Sequence, residues 1–306
     1  MRAVDKLCKS LNHPNIVPVL NYGTMDRYYF LDMELCDLTL EMYLRREWDE
    51  VTAAKLRYFS APLSSRMKMI QILGIMEDVA AGVSFIHQNN EIHRDLKPRN
   101  STAPYMSNLQ PLVMYSYRDH AWKIADFGLT KEGSTGRAFT TVYSRGTDGY
   151  RAPELLKDSK ATYSNKVDIW AMGCIFFELA VQRRPFSIDA VAKEYSAQHS
   201  YSGQRLEISV ALDTFPNQDF ITLFKKSIHD MLEPDPLKRP RAVDIWKRFM
   251  MWKIIAKRRG NLFKTKAEET PTEDHYSTGN DPTLGHVRYI SHGGYGEVHE
   301  VHSHLI

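Results

Sequence analysis

The chain has 306 residues, 43% of them apolar, which leaves room for one large domain or two modest ones and excludes global disorder. A formal net charge of +3 is too mild to argue for a nucleic-acid partner. Cys8, Cys36 and Cys174 are scattered without metal-ligand spacing and read as reduced thiols of a cytoplasmic or nuclear protein; there is no secretory pattern, and no apolar run approaches the ~18 residues of a membrane span.

In chain order, Val4, Leu7, Cys8 and Leu11 have helical spacing without a polar capping lead-in, and Asn12-His13-Pro14-Asn15 breaks that helix. Ile16 to Leu20 reads as a strand, Asn21 to Arg27 as a turn and Tyr28 to Met33 as a second strand. Asp49 to Ser65 is polar and without clear period. From Met69 the pattern is helical, with Ile72, Ile75, Val79, Val83 and Ile86 on one stripe of a core helix. "YSYRDHAWKIADFG" reads as strand, turn and strand. Val167 to Leu179 is nearly all apolar, the mark of a buried helix, and Phe220 to Leu232 and Ala242 to Trp252 are amphipathic helices. From about Ala256 to Pro282 the chain turns polar and charged, a linker; the basic run Lys253 to Lys266 reads as a solvated helix end, with a nuclear address or nucleic-acid patch as the alternative.

The last segment has two short strand patterns around Gly293, Gly294 and Gly296. Such a cluster marks a tight hairpin, or lets backbone approach phosphates closely. His286, His292, His299, His302 and His304 crowd this end, but no Cys and no fixed ligand spacing accompany them.

The stretch His93-Arg94-Asp95-Leu96-Lys97-Pro98-Arg99-Asn100 concentrates chemistry on one loop. A carboxylate can accept a hydroxyl proton, an ammonium two residues on can neutralise a transferring phosphoryl group, and a carboxamide oxygen can ligate a hard cation such as Mg²⁺. Asp126-Phe127-Gly128 offers a second cation ligand. These residues match H-R-D-L-x-x-x-N followed by D-F-G, and Ala152-Pro153-Glu154 follows in order. The chain therefore resembles the protein kinase superfamily, of the eukaryotic serine/threonine type, and that resemblance implies an α+β fold of two lobes. The helical C-lobe is nearly complete and the small β-rich N-lobe incomplete. The implied parts are a partial N-lobe and hinge over 1–36, a C-lobe over 37–255 with an insertion at 101–114, a polar linker over 256–283 and a glycine-loop hairpin over 284–306.

The resemblance also implies roles. Asp95 would orient and deprotonate a protein hydroxyl, Lys97 would stabilise charge on the γ-phosphoryl group of ATP, and Thr147 would hydrogen-bond both. Asn100 and Asp126 would hold Mg²⁺. Met33 would be the gatekeeper, and Glu34 to Cys36 the hinge whose backbone holds adenine. Asp168 would brace the backbone of the His93-Arg94 turn, and Arg239 would form a buried ion pair with Glu154. Arg94 is the residue that pairs with a phosphate on an activation segment, where Thr140, Thr141 and Ser144 are candidate acceptors. The implied partners are ATP and protein substrates, with no nucleic acid and no membrane.

Two departures stand out. Twenty-five residues separate Asn100 from Asp126, more than the family usually has, and the excess falls near Ser101 to Met114, as a surface bulge or as translated intron. The segment Gly293, Gly294, Gly296 and Val298 resembles the glycine-rich loop that opens a kinase, with Ser291 in place of the first glycine and Val298 where the family packs on adenine, but it stands at the wrong end. A circular permutation, a second truncated copy and a mis-assembled gene model are the three accounts. No lysine follows Val298, so the family's phosphate-holding Lys and its Glu partner have no counterpart. The alternative function is accordingly an impaired pseudokinase or fragment acting as a binding module.

Overall fold

A computed structural model of the chain describes residues 6, 12–25, 28–47, 50, 65–98, 113–127, 130–133, 139–141, 146–156, 161–209, 218–262, 284–293 and 296–303. The side chains of 24–31, 65–66, 139–141, 161 and 258–303 lie outside that description. Two compact units emerge, Met1–Lys257 and Arg258–Ile306.

The first unit opens with an antiparallel hairpin, β1 (Val19–Met25) and β2 (Tyr28–Met33). Strand β2 lies where the sequence placed it, but β1 does not. Pro18 has no amide to donate, so regular pairing begins after it and continues through most of the expected turn at 21–27. Ile16 and Val17 dock elsewhere. Ile16 bridges Ile124 in parallel, the Val17 amide donates to the Ile124 carbonyl at 2.9 Å, and the Ile124 amide donates to Asn15 at 2.9 Å.

Strand β3 (Leu38–Thr39) leads into helix α1 (Leu40–Arg45), which Thr39 caps by accepting the Met42 amide on Oγ1 at 3.1 Å. Helix α2 (Ser65–Gln88) begins four residues before the expected Met69. Ile75, Val79, Val83 and Ile86 are buried as its periodicity demands, and Leu73, Met76 and Ala80 widen the buried face. Gly82 is where this helix comes closest to its neighbours: a Cβ there would stand 2.8 Å from both the Asn15 carbonyl oxygen and the Ile124 side chain. Met67–Gln88 is apolar and long enough to cross a bilayer by composition, contrary to the expectation that no apolar run approaches that length; most of it is buried in this core, the property of a central helix in a globular fold.

Past β4 (Glu91–Ile92), the strands β5 (Val113–Ser116) and β6 (Ala121–Ile124) form a hairpin that completes a three-stranded antiparallel sheet in the order β3-β5-β6. Val113 and Met114 pair with Ile124 and Lys123, so these two residues of the insertion expected over 101–114 belong to a strand; 101–112 lie outside the described residues. Strand β7 (Lys131–Glu132) pairs with β4, and β8 (Phe139–Thr141) pairs with β9 (Ala161–Tyr163).

Helix α3 (Lys166–Val181) is the central post, buried from Lys166 through Ala180. Its Gly173 admits helix α5 (Gln218–Met231), since a Cβ would lie 2.9 Å from Met231 Cβ. Between them runs helix α4 (Asp189–Ser202), which periodicity did not reveal: only Ala192 and Tyr195 are buried, too few to draw an apolar stripe. Helix α6 (Ala242–Leu262) runs ten residues beyond the expected end at Trp252, so 256–262 belongs to a helix and not to the linker. The buried series Ala242, Ile245, Phe249, Trp252, Ala256 explains this, because the helical spacing persists into the charged region.

Asp78 on α2 accepts the Trp122 amide at 3.0 Å on one carboxylate oxygen. Burial pushes its carboxyl up to about 6, against the Trp122 amide, the Lys253 charge and the Asn15 side chain. A carboxyl whose folded pKa lies above its unfolded value binds its proton more tightly in the fold, so stability falls as pH rises from about 4 to about 6. Asp78→Asn keeps an acceptor for Trp122 and should raise stability at pH 7 by about 1–2 kcal/mol while flattening that slope. Urea titrations at pH 4.5 and 7 measure both effects.

The second unit holds an antiparallel hairpin, β10 (Leu284–Gly293) and β11 (Gly296–Ser303), with Gly293 opposite Gly296 across the turn.

Candidate active site

The 93–98 loop takes its shape from a buried carboxylate. Asp168, in the first turn of α3, accepts the His93 amide on one oxygen and the Arg94 amide on the other, each at 2.8 Å. His87, at the end of α2, meets the same carboxylate at 2.9 Å. Burial works to raise the Asp168 carboxyl, yet the His87 bond and charge, the His93 charge and the Arg94 amide hold it below the usual carboxylate range. The sequence reading anticipated Asp168; it missed His87, whose place beside Asp168 follows only from packing α2 on α3.

Arg94 sits at φ 71°, a left-handed conformation that costs a non-glycine residue energy and turns the chain sharply. That turn presents Asp95 and Lys97 on one side. Lys97 Nζ lies 2.9 Å from Asp95 Oδ2 and 2.5 Å from Thr147 Oγ1, and the Thr147 hydroxyl donates to Asp95 Oδ1 at 2.8 Å. The three residues predicted to act together do meet. Their Asp95 and Lys97 side chains are 14% and 8% exposed, so the pair is sheltered while the carboxylate stays reachable.

Gly146 makes the approach of Thr147 possible. It has φ +104°, and a Cβ would stand 2.9 Å from the Arg94 carbonyl oxygen. A larger residue would lift Thr147 away from Asp95.

His93 ties the loop to the next element: its Nε2 lies 3.0 Å from the Ala125 carbonyl, and its ring packs edge-on against Phe127 at 5.5 Å. Asp126, between those two contacts, has φ 58°. Arg94 Nη1 donates to the Tyr163 hydroxyl at 2.9 Å. Tyr163, which the sequence reading did not single out, closes β9 opposite Phe139 of the segment holding Thr140 and Thr141. Ser144 lies outside the described residues, as do Asn100 and Gly294.

At the hinge, Met33 pairs with Val19 and packs against the core. The Glu34 carboxylate is engaged away from the chain's own backbone edge. It accepts the Ser116 hydroxyl and the Lys123 ammonium, each at 2.5 Å. Cys36 points its sulfur at the Glu34 carbonyl at 4.0 Å, and burial pushes its thiol up to about 12, which makes it inert at neutral pH. Leu35 is 92% exposed, and the Glu34 amide already donates to the Pro18 carbonyl at 3.2 Å. Gly293, Gly296 and Val298 lie in the hairpin of the second unit, Val298 opposite Ser291. Among the described residues no cluster of three metal-binding side chains occurs.

A protein kinase domain model matches residues 5–250. The chain belongs to the protein kinase superfamily. It is 31% identical over 194 residues to the serine/threonine-protein kinase ATG1 of Pichia angusta, covering 59% of this chain and 23% of that one. It is 29% identical over 238 residues to the serine/threonine-protein kinase plk-1 of Caenorhabditis elegans, covering 78% of this chain and 30% of that one. It is 31% identical over 205 residues to the serine/threonine-protein kinase PrkC of Bacillus subtilis, covering 66% and 27%. The chain thus spans less than a third of the length of each of these relatives. The fold is the α+β kinase fold with a helical C-lobe and an incomplete N-lobe. The hydrogen bonds of Asp168 to the His93-Arg94 backbone and the Glu154–Arg239 pair, both expected from the resemblance, are present in this kinase domain.

Proposed function

We propose that this kinase domain transfers the γ-phosphoryl group of ATP to serine and threonine hydroxyls of proteins. The observation that carries this reading is the closed triangle of Asp95, Lys97 and Thr147. Phosphoryl transfer needs little covalent chemistry from a protein and much positioning and charge stabilisation. Asp95 accepts the proton of the incoming hydroxyl. Lys97, held between Asp95 and Thr147, stands beside the site where negative charge develops. A carboxylate at Asp126 and, by the motif, a carboxamide at Asn100 are hard oxygen donors of the kind that would hold Mg²⁺, which when bound neutralises phosphate charge; the resemblance assigns the adenine edge to the backbone of Glu34 to Cys36. By the family resemblance, a phosphate on Thr140, Thr141 or Ser144 would be a partner for Arg94, which now donates to the Tyr163 hydroxyl. Free Cys36 and buried, unpaired Cys174 agree with a reducing, cytoplasmic or nuclear setting.

The test is incorporation of labelled phosphate from Mg-ATP into casein and into the chain itself. Asp95→Asn should lower it by about 10²–10⁴-fold, the scale of general-base catalysis. Equal, background-level incorporation by the parent chain and Asp95→Asn would sink the enzyme reading and leave the pseudokinase alternative.

A further inference from the structure

Thr147 reaches Asp95 from a turn with little internal support. Residues 146–151 contain two glycines at positive φ, Gly146 at +104° and Gly149 at +80°, and one backbone bond of their own, from the Tyr150 amide to the Thr147 carbonyl at 3.1 Å. Such a turn is soft unless something outside holds it.

The first residue of α4 provides a hold. Asp189 Oδ1 accepts the Gly149 amide at 2.9 Å, and in return Asp148 Oδ1 accepts the Asp189 amide at 2.7 Å. Each aspartate thus takes a backbone donor from the other's segment. Asp189 Oδ2 pairs with Arg151 Nη1, and Arg151 Nε donates to the Gly146 carbonyl at 2.9 Å. Gly149 has no room for a side chain, since a Cβ would stand 2.7 Å from the Phe186 carbonyl oxygen just before α4. Gly146, Asp148, Gly149 and Arg151 are therefore all referred to one point on α4. The guanidinium suits this task, because Nη1 meets Asp189 Oδ2 while Nε turns back to the Gly146 carbonyl.

We propose that Arg151 and Asp189 are positioning residues for phosphoryl transfer. Their ion pair sets the 146–151 turn at the height from which Thr147 orders Asp95 and Lys97. The proposal rests on the kinase reading for its kinetic consequence but not for its structural one. Neither residue touches the reacting atoms; they act through Gly146 and Thr147. Both side chains remain partly exposed, 24% and 20%, so the variants Arg151→Gln and Asp189→Asn place no bare charge in a sealed core.

Two measurements decide it. In hydrogen exchange, Arg151→Gln should speed exchange of the amides at 146–151 by tenfold or more and leave those of α3 unchanged. Unaltered protection at 146–151 would overturn the proposal, and so would an equal loss across α3. In kinetics, Arg151→Gln and Asp189→Asn should each lower kcat/KM for casein by tenfold or more, with KM for ATP within twofold of the parent. The double variant should fall no further than either single one, because the two act as one unit. Additive losses, or a parallel rise in KM for ATP, would count against it. Arg151→Lys should not restore the parent rate, since its single nitrogen cannot stand at both the Nη1 and Nε positions that meet Asp189 Oδ2 and the Gly146 carbonyl. A parent chain without phosphoryl transfer would defeat the kinase reading, and the exchange experiment would still decide this one.

Discussion

Arg239→Met should destabilise the first unit by about 3–5 kcal/mol, the cost of breaking a buried ion pair on one side. Arg239 is the most heavily committed cation described. Its two terminal nitrogens meet the two Glu154 oxygens at 2.7 and 2.8 Å. It also donates to the carbonyls of Glu233, Lys166 and Pro234 at 2.7, 2.9 and 3.0 Å, and its guanidinium lies 5.1 Å from the Trp170 ring centre. Its side chain is fully buried and that of Glu154 nearly so. Removing the arginine leaves a buried carboxylate without its partner and three carbonyls without this donor; methionine fills some of the volume and none of that need. Arg239→Lys should fall nearly as far, because an ammonium cannot present a planar fork to both oxygens. For a unit of this size the loss corresponds to a fall in melting temperature on the order of 10 °C. Calorimetry reads it directly. A shift of one or two degrees would show that the surroundings relax around the gap.

Asp168→Ala should damage both stability and activity. The carboxylate holds two adjacent amides, those of His93 and Arg94, and the second belongs to a residue at φ 71°. With no acceptor, each amide costs about 1–3 kcal/mol, and the left-handed turn loses what over-determines it. Asp95 follows that turn directly, so misplacing it by an ångström should lower phosphoryl transfer by about 10²-fold or more. Asp168→Asn retains one acceptor oxygen but turns an NH₂ toward a donor, and should be intermediate. Because the folded-state carboxyl sits below its ordinary range, its stabilisation is complete above about pH 4 and disappears as the pH drops through the depressed folded value. The parent chain should therefore lose stability in strong acid faster than Asp168→Ala does. Parallel acid-unfolding curves for the two proteins would contradict this assignment.

The reach of the sequence follows from distance along the chain and from burial. Asp95 and Lys97 could be named in advance from the chemistry their loop concentrates, Thr147 from the family resemblance, and α3 because its fifteen consecutive buried residues are nearly all apolar. The pairs His87–Asp168 and Arg151–Asp189 are 81 and 38 residues apart in the chain. Nothing local marks such pairs, since their partners come together only when helices pack. Helix α4 escaped because its burial is slight. The expected strand at 16–20 differs from β1 because Ile16 has the character of a strand residue yet makes an isolated bridge to Ile124, outside β1. The end of α6 was set too early because lysines and arginines on its outer face masked a spacing that continues to Ala256.

Arg94 and Asp126, at φ 71° and 58°, stand on either side of His93's bridge to Ala125. Glycine would adopt either conformation more easily, but it has no guanidinium for Tyr163 and no side-chain carboxylate. The fold therefore keeps its reactive groups in places the backbone resists, each opposed by about 1–3 kcal/mol of local strain. That strain is released first when the surroundings loosen. On warming, this loop should slip into easier conformations while the helices around it are still intact, so the working temperature of the domain is set by its least comfortable residues and not by its melting point.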